Sequence, residues 1–139
     1  MGGKIKIHVM HCGKVMVDEA LPFANAAKNP LAYTGLFRGP FRQSYDLFGD
    51  ASVILIWLPG HSDGMTGVLI QNNGRFVLLT GDCGYASKSW NTLTLPGITE
   101  DRQRMMRSPQ WVKAMSEKDN CIEVLANHDP EVEPHVIEL

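Results

Sequence analysis

Apolar and polar residues alternate strictly over Lys4-Ile5-Lys6-Ile7-His8-Val9-Met10, which puts Ile5, Ile7 and Val9 on one face. A period of two predicts a half-exposed strand. His11-Cys12-Gly13-Lys14 then reads as a turn and Val15-Met16-Val17 as a returning strand, so the chain opens on a β-hairpin. From Asp18 to Pro40 no period is sustained. Pro22, Pro30, Gly35, Gly39 and Pro40 punctuate an extended loop, pinned by Leu21-Pro22-Phe23 and Leu31-Ala32-Tyr33. Tyr45 to Asp50 gives a short strand and a turn.

Val53-Ile54-Leu55-Ile56-Trp57 is a continuous apolar run, the pattern of a strand covered on both faces. It stops at Pro59-Gly60. Two further runs, Gly67-Val68-Leu69-Ile70-Gln71 and Phe76-Val77-Leu78-Leu79-Thr80, flank Asn72-Asn73-Gly74-Arg75, which supplies the positive φ of a tight hairpin. Residues 86–97 are irregular. Thr99 reads as an N-cap with Glu100 and Asp101 in the first turn, predicting a helix from Glu100 to Arg107. Ser108-Pro109 has the form of a second cap and N1 proline, predicting a new helix to about Lys118 with Trp111, Val112 and Met115 as its apolar stripe. Cys121-Ile122-Glu123-Val124-Leu125-Ala126 is a last strand, and Glu131, Glu133 and His135 make a polar tail.

The candidate chemistry sits just past the strands. His61 follows one run, Asp82 another, and His128 and Asp129 follow the last. An imidazole and a carboxylate brought together at strand ends suit a divalent ion such as zinc. The same two residues equally serve as a turn-capping histidine and an aspartate that satisfies loop amides. Cys83, beside Asp82, is a nucleophile or soft ligand on one reading and a small buried residue on another. His8 and His11 are three apart, and solvent-facing or structural roles suit them better than a metal pair.

Pro59-Gly60-His61-Ser62-Asp63-Gly64, then Leu78-Leu79-Thr80-Gly81-Asp82-Cys83-Gly84-Tyr85, then Ala126-Asn127-His128-Asp129-Pro130 stand in the order seen in the metallo-β-lactamase superfamily. The chain resembles most its N-acyl homoserine lactonase-like branch, and the matching stretch runs from Tyr45 to about Glu131. The resemblance implies an αββα fold of the α/β (α+β) class, here mainly its C-terminal half. It implies His61 as a ligand of a first metal, Asp82 as the bridging carboxylate and His128 as a ligand of a second. Tyr85 matches the tyrosine that points at the substrate carbonyl. The superfamily's H-x-H-x-D-H motif is absent, and the block that would carry it is missing between about Gly39 and Tyr45.

The composition adds bounds. At 139 residues the chain is read as one shortened domain, with 1–40 its N-terminal strands and loop and 45–139 its C-terminal half. Hydrophobic residues are 44% and charged ones 20%, with a net charge of −2, so nothing points to nucleic acid or an anionic membrane. The N-terminus lacks the apolar core of a signal peptide, and no run approaches transmembrane length. An odd set of 3 cysteines without a CxxC suits a reducing cytoplasm. Removing half a sandwich exposes an apolar face, which predicts a homodimer or domain-swapped oligomer. Two functional readings follow. One is a metal-dependent hydrolase of the lactonase type, using zinc, iron or manganese on a small acyl or lactone substrate. The other is a non-catalytic remnant that acts as an oligomeric or interaction domain.

Overall fold

The computed structural model describes residues 3–10 and 38–139. The expected return strand at residues 15–17, His11 and the loop clusters up to residue 37 lie outside the described residues. β1 (Lys6–Val9) is the predicted alternating strand, with Ile7 and Val9 half-buried and Lys6 and His8 exposed. Its partner among the described residues is the far end of the chain. β1 pairs antiparallel with β7 (His135–Glu138), so His135, read as part of a polar tail, opens a strand instead.

Between these ends lies a five-stranded sheet in the order β2-β3-β4-β5-β6. β2 (Ser44–Asp46), β3 (Val53–Trp57), β4 (Thr66–Asn72) and β5 (Arg75–Leu79) form an antiparallel meander. The turn joining β4 to β5 has positive φ at both Asn73 (49°) and Gly74 (78°), the backbone that a two-residue type I′ hairpin requires. β6 (Cys121–Leu125) lies parallel to β5 and is reached by a helical crossover. That crossover holds a one-turn helix, α1 (Lys88–Asn91), in the stretch read as irregular, and the long α2 (Arg102–Ser116).

The expected break at Ser108-Pro109 does not occur: α2 runs straight through it. Its N-cap is Asp101, whose carboxylate accepts from the Arg104 amide at 3.0 Å, and Thr99 instead bonds the Pro96 carbonyl. Proline inside a helix costs roughly 3 kcal/mol. Packing offsets that here, because Ser108 and Pro109 are fully buried and the Ser108 hydroxyl donates to the Pro59 carbonyl at 2.9 Å. Pattern alone cannot separate a cap from a buried tertiary contact.

The layers follow from the strand periodicity. Ile54, Ile56, Leu69, Phe76 and Leu78 face the helices and pack with Trp90 and Val112. On the opposite face Val77, Ile70 and Leu79 meet Ile137, Leu139, Ile5 and Ile7 of the small sheet. The result is an α+β arrangement, a partial αββα sandwich with one helical layer and two sheets. β3 corrects one expectation. Ile54 and Ile56 are buried, but Val53, Leu55 and Trp57 are only half-buried, so the run is not covered on both faces by the described residues.

Because β4 is antiparallel to both neighbours, β3 and β5 point the same way, and β6 points with them. The C-terminal ends of all three therefore open at one edge of the sheet. His61, Asp82 and His128 follow those ends.

Candidate functional site

Asp82 sits in a short 3-10 turn, Gly81–Cys83, that ends β5. Each of its carboxylate oxygens faces a different imidazole. His61 Nε2 lies 3.6 Å from one, and His128 Nε2 lies 3.1 Å from the other. Asn127 Nδ2 approaches the oxygen on the His128 side at 3.5 Å. Tyr85 stands edge-on between the two rings, with centroids 5.9 Å from His61 and 5.1 Å from His128. The fold thus brings together the four residues singled out in the sequence.

Two clamps hold the loops that carry them. On the His61 side, the Gly60 carbonyl accepts from the amides of Glu100 (2.8 Å) and Asp101 (3.0 Å), just before α2. His61 Nδ1 donates to the Ile98 carbonyl at 2.9 Å, and the Asp63 amide donates to Glu100 Oε2 at 3.0 Å. Arg104 pairs with Asp63 at 2.8 Å and lies over the Trp57 ring. On the other side, the Asp129 carboxylate accepts from the Ser87 amide (2.8 Å) and the Glu131 amide (3.1 Å), tying the Tyr85 loop to the His128 loop. The Ser87 amide, above all, holds the Asp129 pKa below the usual carboxylate range. The sequence placed Glu100, Asp101 and Arg104 in a helix with Thr99 as its cap, but their contacts across the fold to Gly60 and Asp63 carry no local signal.

The electrostatics separate the candidates. Loss of solvent, and then the charge of Asp82, raise the Tyr85 pKa, so its phenol stays protonated and remains a donor. Burial pushes the Cys83 thiol up to about 12. A protonated thiol is neither nucleophile nor ligand. Cys83 is a small core residue, packed beside Trp90 and Val112.

Whether these donors suit a metal is a question of type, spacing and number. Ligand atoms on a tetrahedral ion with bonds near 2.0–2.2 Å lie roughly 3.3–3.6 Å apart. The separations of 3.6 and 3.1 Å are close to that span, and imidazole plus carboxylate is a fitting donor set. His61 is oriented as a ligand should be: a carbonyl can only accept, so in the neutral ring Nδ1 carries the proton and Nε2 presents the lone pair. The number falls short. Among the described residues, no group of three or more His, Cys, Asp or Glu side chains is arranged around one ion. A catalytic zinc keeps three protein ligands, whereas each oxygen of Asp82 meets one imidazole.

No family model matches the chain. An N-acyl homoserine lactonase of Rhizobium radiobacter is 33% identical over 88 residues, covering 63% of this chain and 33% of that protein. The corresponding lactonase of Azorhizobium caulinodans is 32% identical over 92 residues, 65% of this chain and 34% of that protein. The chain resembles one third of such an enzyme, in the metallo-β-lactamase superfamily. Among solved structures, an N-acyl homoserine lactone hydrolase with N-hexanoyl-L-homoserine at its catalytic metal centre aligns with a TM-score of 0.53 at 27% identity, over 63% of this chain and 34% of that one. A probable metal-dependent hydrolase of Staphylococcus aureus shares the fold, with a TM-score of 0.54 at 18% identity, over 64% of this chain and 31% of that one. The chain spans about a third of the relatives' length. Among the described residues no helix is long and apolar enough to cross a membrane.

Proposed function

We propose that this chain is a metal-dependent hydrolase-like protein of the lactonase type, acting on esters or lactones of small acyl compounds. The observation that carries the reading is Asp82, with one carboxylate oxygen turned to each of two imidazoles. His61 and His128, one at each oxygen of Asp82, would supply part of the coordination of a divalent ion, zinc or else iron or manganese, with the remaining donors coming from outside the described residues. Such an ion, when bound, lowers the pKa of a water and polarises a carbonyl. The chain's own residues then have distinct tasks. Asp82 spans the two imidazoles, and its charge orients both. The Tyr85 hydroxyl, kept protonated, donates to the oxygen on which negative charge develops. The clamps at Gly60 and Asp129 hold the loops still, so little reorganisation is needed as charge forms.

The shortfall in donors favours completion of the site by a second copy of the chain, a homodimer or domain-swapped oligomer. The half-buried Val53, Leu55 and Trp57 support the same arrangement. A second functional reading rests on that shortfall too: the chain is a non-catalytic remnant that serves as an oligomeric or interaction domain.

Elemental analysis of protein purified without tag or chelator, beside His61→Ala, separates the two. Stoichiometric metal that is lost in the variant, with lactone hydrolysis lost alongside, supports the hydrolase. Neither metal nor turnover in the parent protein leaves the remnant.

A further inference from the structure

The segments at 59–64 and 98–104 are distant in sequence and locked face to face in the fold. Glu100 stands at the centre of the lock. Its amide holds the Gly60 carbonyl at 2.8 Å on one side of His61, and its carboxylate holds the Asp63 amide at 3.0 Å on the other. Ile98, close before it, delivers the carbonyl that His61 Nδ1 meets at 2.9 Å. Asp101 and Arg104 reinforce the same lock, through the Gly60 carbonyl and the Asp63 carboxylate. The loop also has no slack against the helix, since a Cβ on Gly60 would fall 2.3 Å from the Met105 Cα.

The chemical consequence falls on the imidazole. A neutral histidine carries one N–H, and an acceptor held against one ring nitrogen places the proton there and leaves the lone pair on the other. With Nδ1 committed to Ile98, the Nε2 lone pair points toward Asp82. Without that commitment, the Nε2–H form would be favoured, because it can donate to the carboxylate. The carboxylate therefore pulls the tautomer one way and the Ile98 carbonyl the other.

We propose that Glu100 is a positioning residue that fixes the tautomer of His61, by holding residues 60 and 63 in register with the Ile98 carbonyl. This deepens the hydrolase reading, because an Nε2 lone pair is what a metal takes. The geometry itself does not depend on any metal. The Glu100 carboxylate is bonded to the Asp63 amide rather than to Asp82.

The test uses the full chain, metal-free and 15N-labelled, in alkaline buffer where the imidazoles are neutral. Two-bond proton–nitrogen correlations distinguish the two imidazole tautomers, and His61→Gln assigns the signals. The parent protein should show His61 as the Nδ1–H tautomer alone. Glu100→Ala should convert it to a mixture or to the Nε2–H form, while Glu100→Gln, which keeps an oxygen to accept from Asp63, should restore the parent pattern. An Nε2–H tautomer in the parent protein overturns the proposal without any variant. So does a Glu100→Ala spectrum identical to the parent's. Should Glu100→Ala fail to fold, Glu100→Ser, too short to reach Asp63, takes its place under the same criteria. A chain that takes up no metal yet shows the Nδ1–H tautomer and its loss in Glu100→Ala sinks the hydrolase reading alone.

Discussion

A methyl group at position 60 has no room. Gly60 adopts φ +139°, and its Cβ would meet the Met105 backbone at 2.3–2.4 Å, whereas Gly74, also at positive φ, faces open space. Gly60→Ala should therefore cost about 2–4 kcal/mol, from overpacking added to backbone strain. Gly74→Ala should cost only about 1 kcal/mol from strain. Urea unfolding of both variants checks the order, and equal losses would contradict it. Tyr85→Phe asks the functional question at the same scale. If the phenol stabilises developing charge, turnover on a lactone should fall by about 10²-fold with metal content unchanged. Unchanged turnover would remove Tyr85 from the chemistry. His61, Asp82 and His128 were legible as residues because each follows the C-terminal end of a strand, whereas Tyr85 entered only through the resemblance to the lactonase loops. Their supports were not legible. The bond from His61 to Ile98 spans 37 residues, and that from Ser87 to Asp129 spans 42, so no local pattern could announce either.

At the scale of elements, legibility followed the length of the periodic run. β3, β4, β5 and β6 were found with shifts of about a residue, because several consecutive positions agree. β7 was not found. It is four residues long, and its meaning lies in β1, at the other end of the chain. β7 also carries a pH-sensitive attachment to the main sheet. His135 Nδ1 lies 2.7 Å from the Glu133 carbonyl, and Nε2 lies 2.9 Å from the Glu123 carboxylate on β6. Both partners are acceptors, so only the imidazolium satisfies both. The Glu133 carbonyl first, and then Glu123, accordingly raise the His135 pKa. A raised folded pKa gives stability that is complete below the unfolded value of about 6.5 and lost as pH climbs through the folded one. The melting temperature of the parent protein over His135→Gln should therefore be higher at about pH 5.5, and the gap should narrow by about pH 8. A gap that does not change with pH would mean that the ring only packs. Glu123→Gln should shrink the gap in the same direction.

At the scale of the whole molecule, two deficits coincide. Among the described residues the site has donors of the right kind but only one imidazole for each oxygen of Asp82, and the β3 side of the sheet stays half-covered. The αββα character was legible because the strand-rich core is continuous in sequence. How the fold is completed was not, since that depends on surfaces rather than periods. If a second copy supplies the missing donors, metal binding and association become one linked equilibrium, and each must strengthen the other by the same factor. Zinc titrated into chelator-treated protein should then raise the mass seen by light scattering from monomer toward dimer. Diluting the protein should in turn weaken apparent zinc affinity. His128→Ala should abolish both effects, because it removes a donor without touching the sheet face. A mass that ignores zinc, with zinc bound at one affinity at every protein concentration, would place any metal site within a single chain. A dimer that persists unchanged in the absence of metal would leave association to the apolar face alone, and the remnant reading would then gain over the hydrolase.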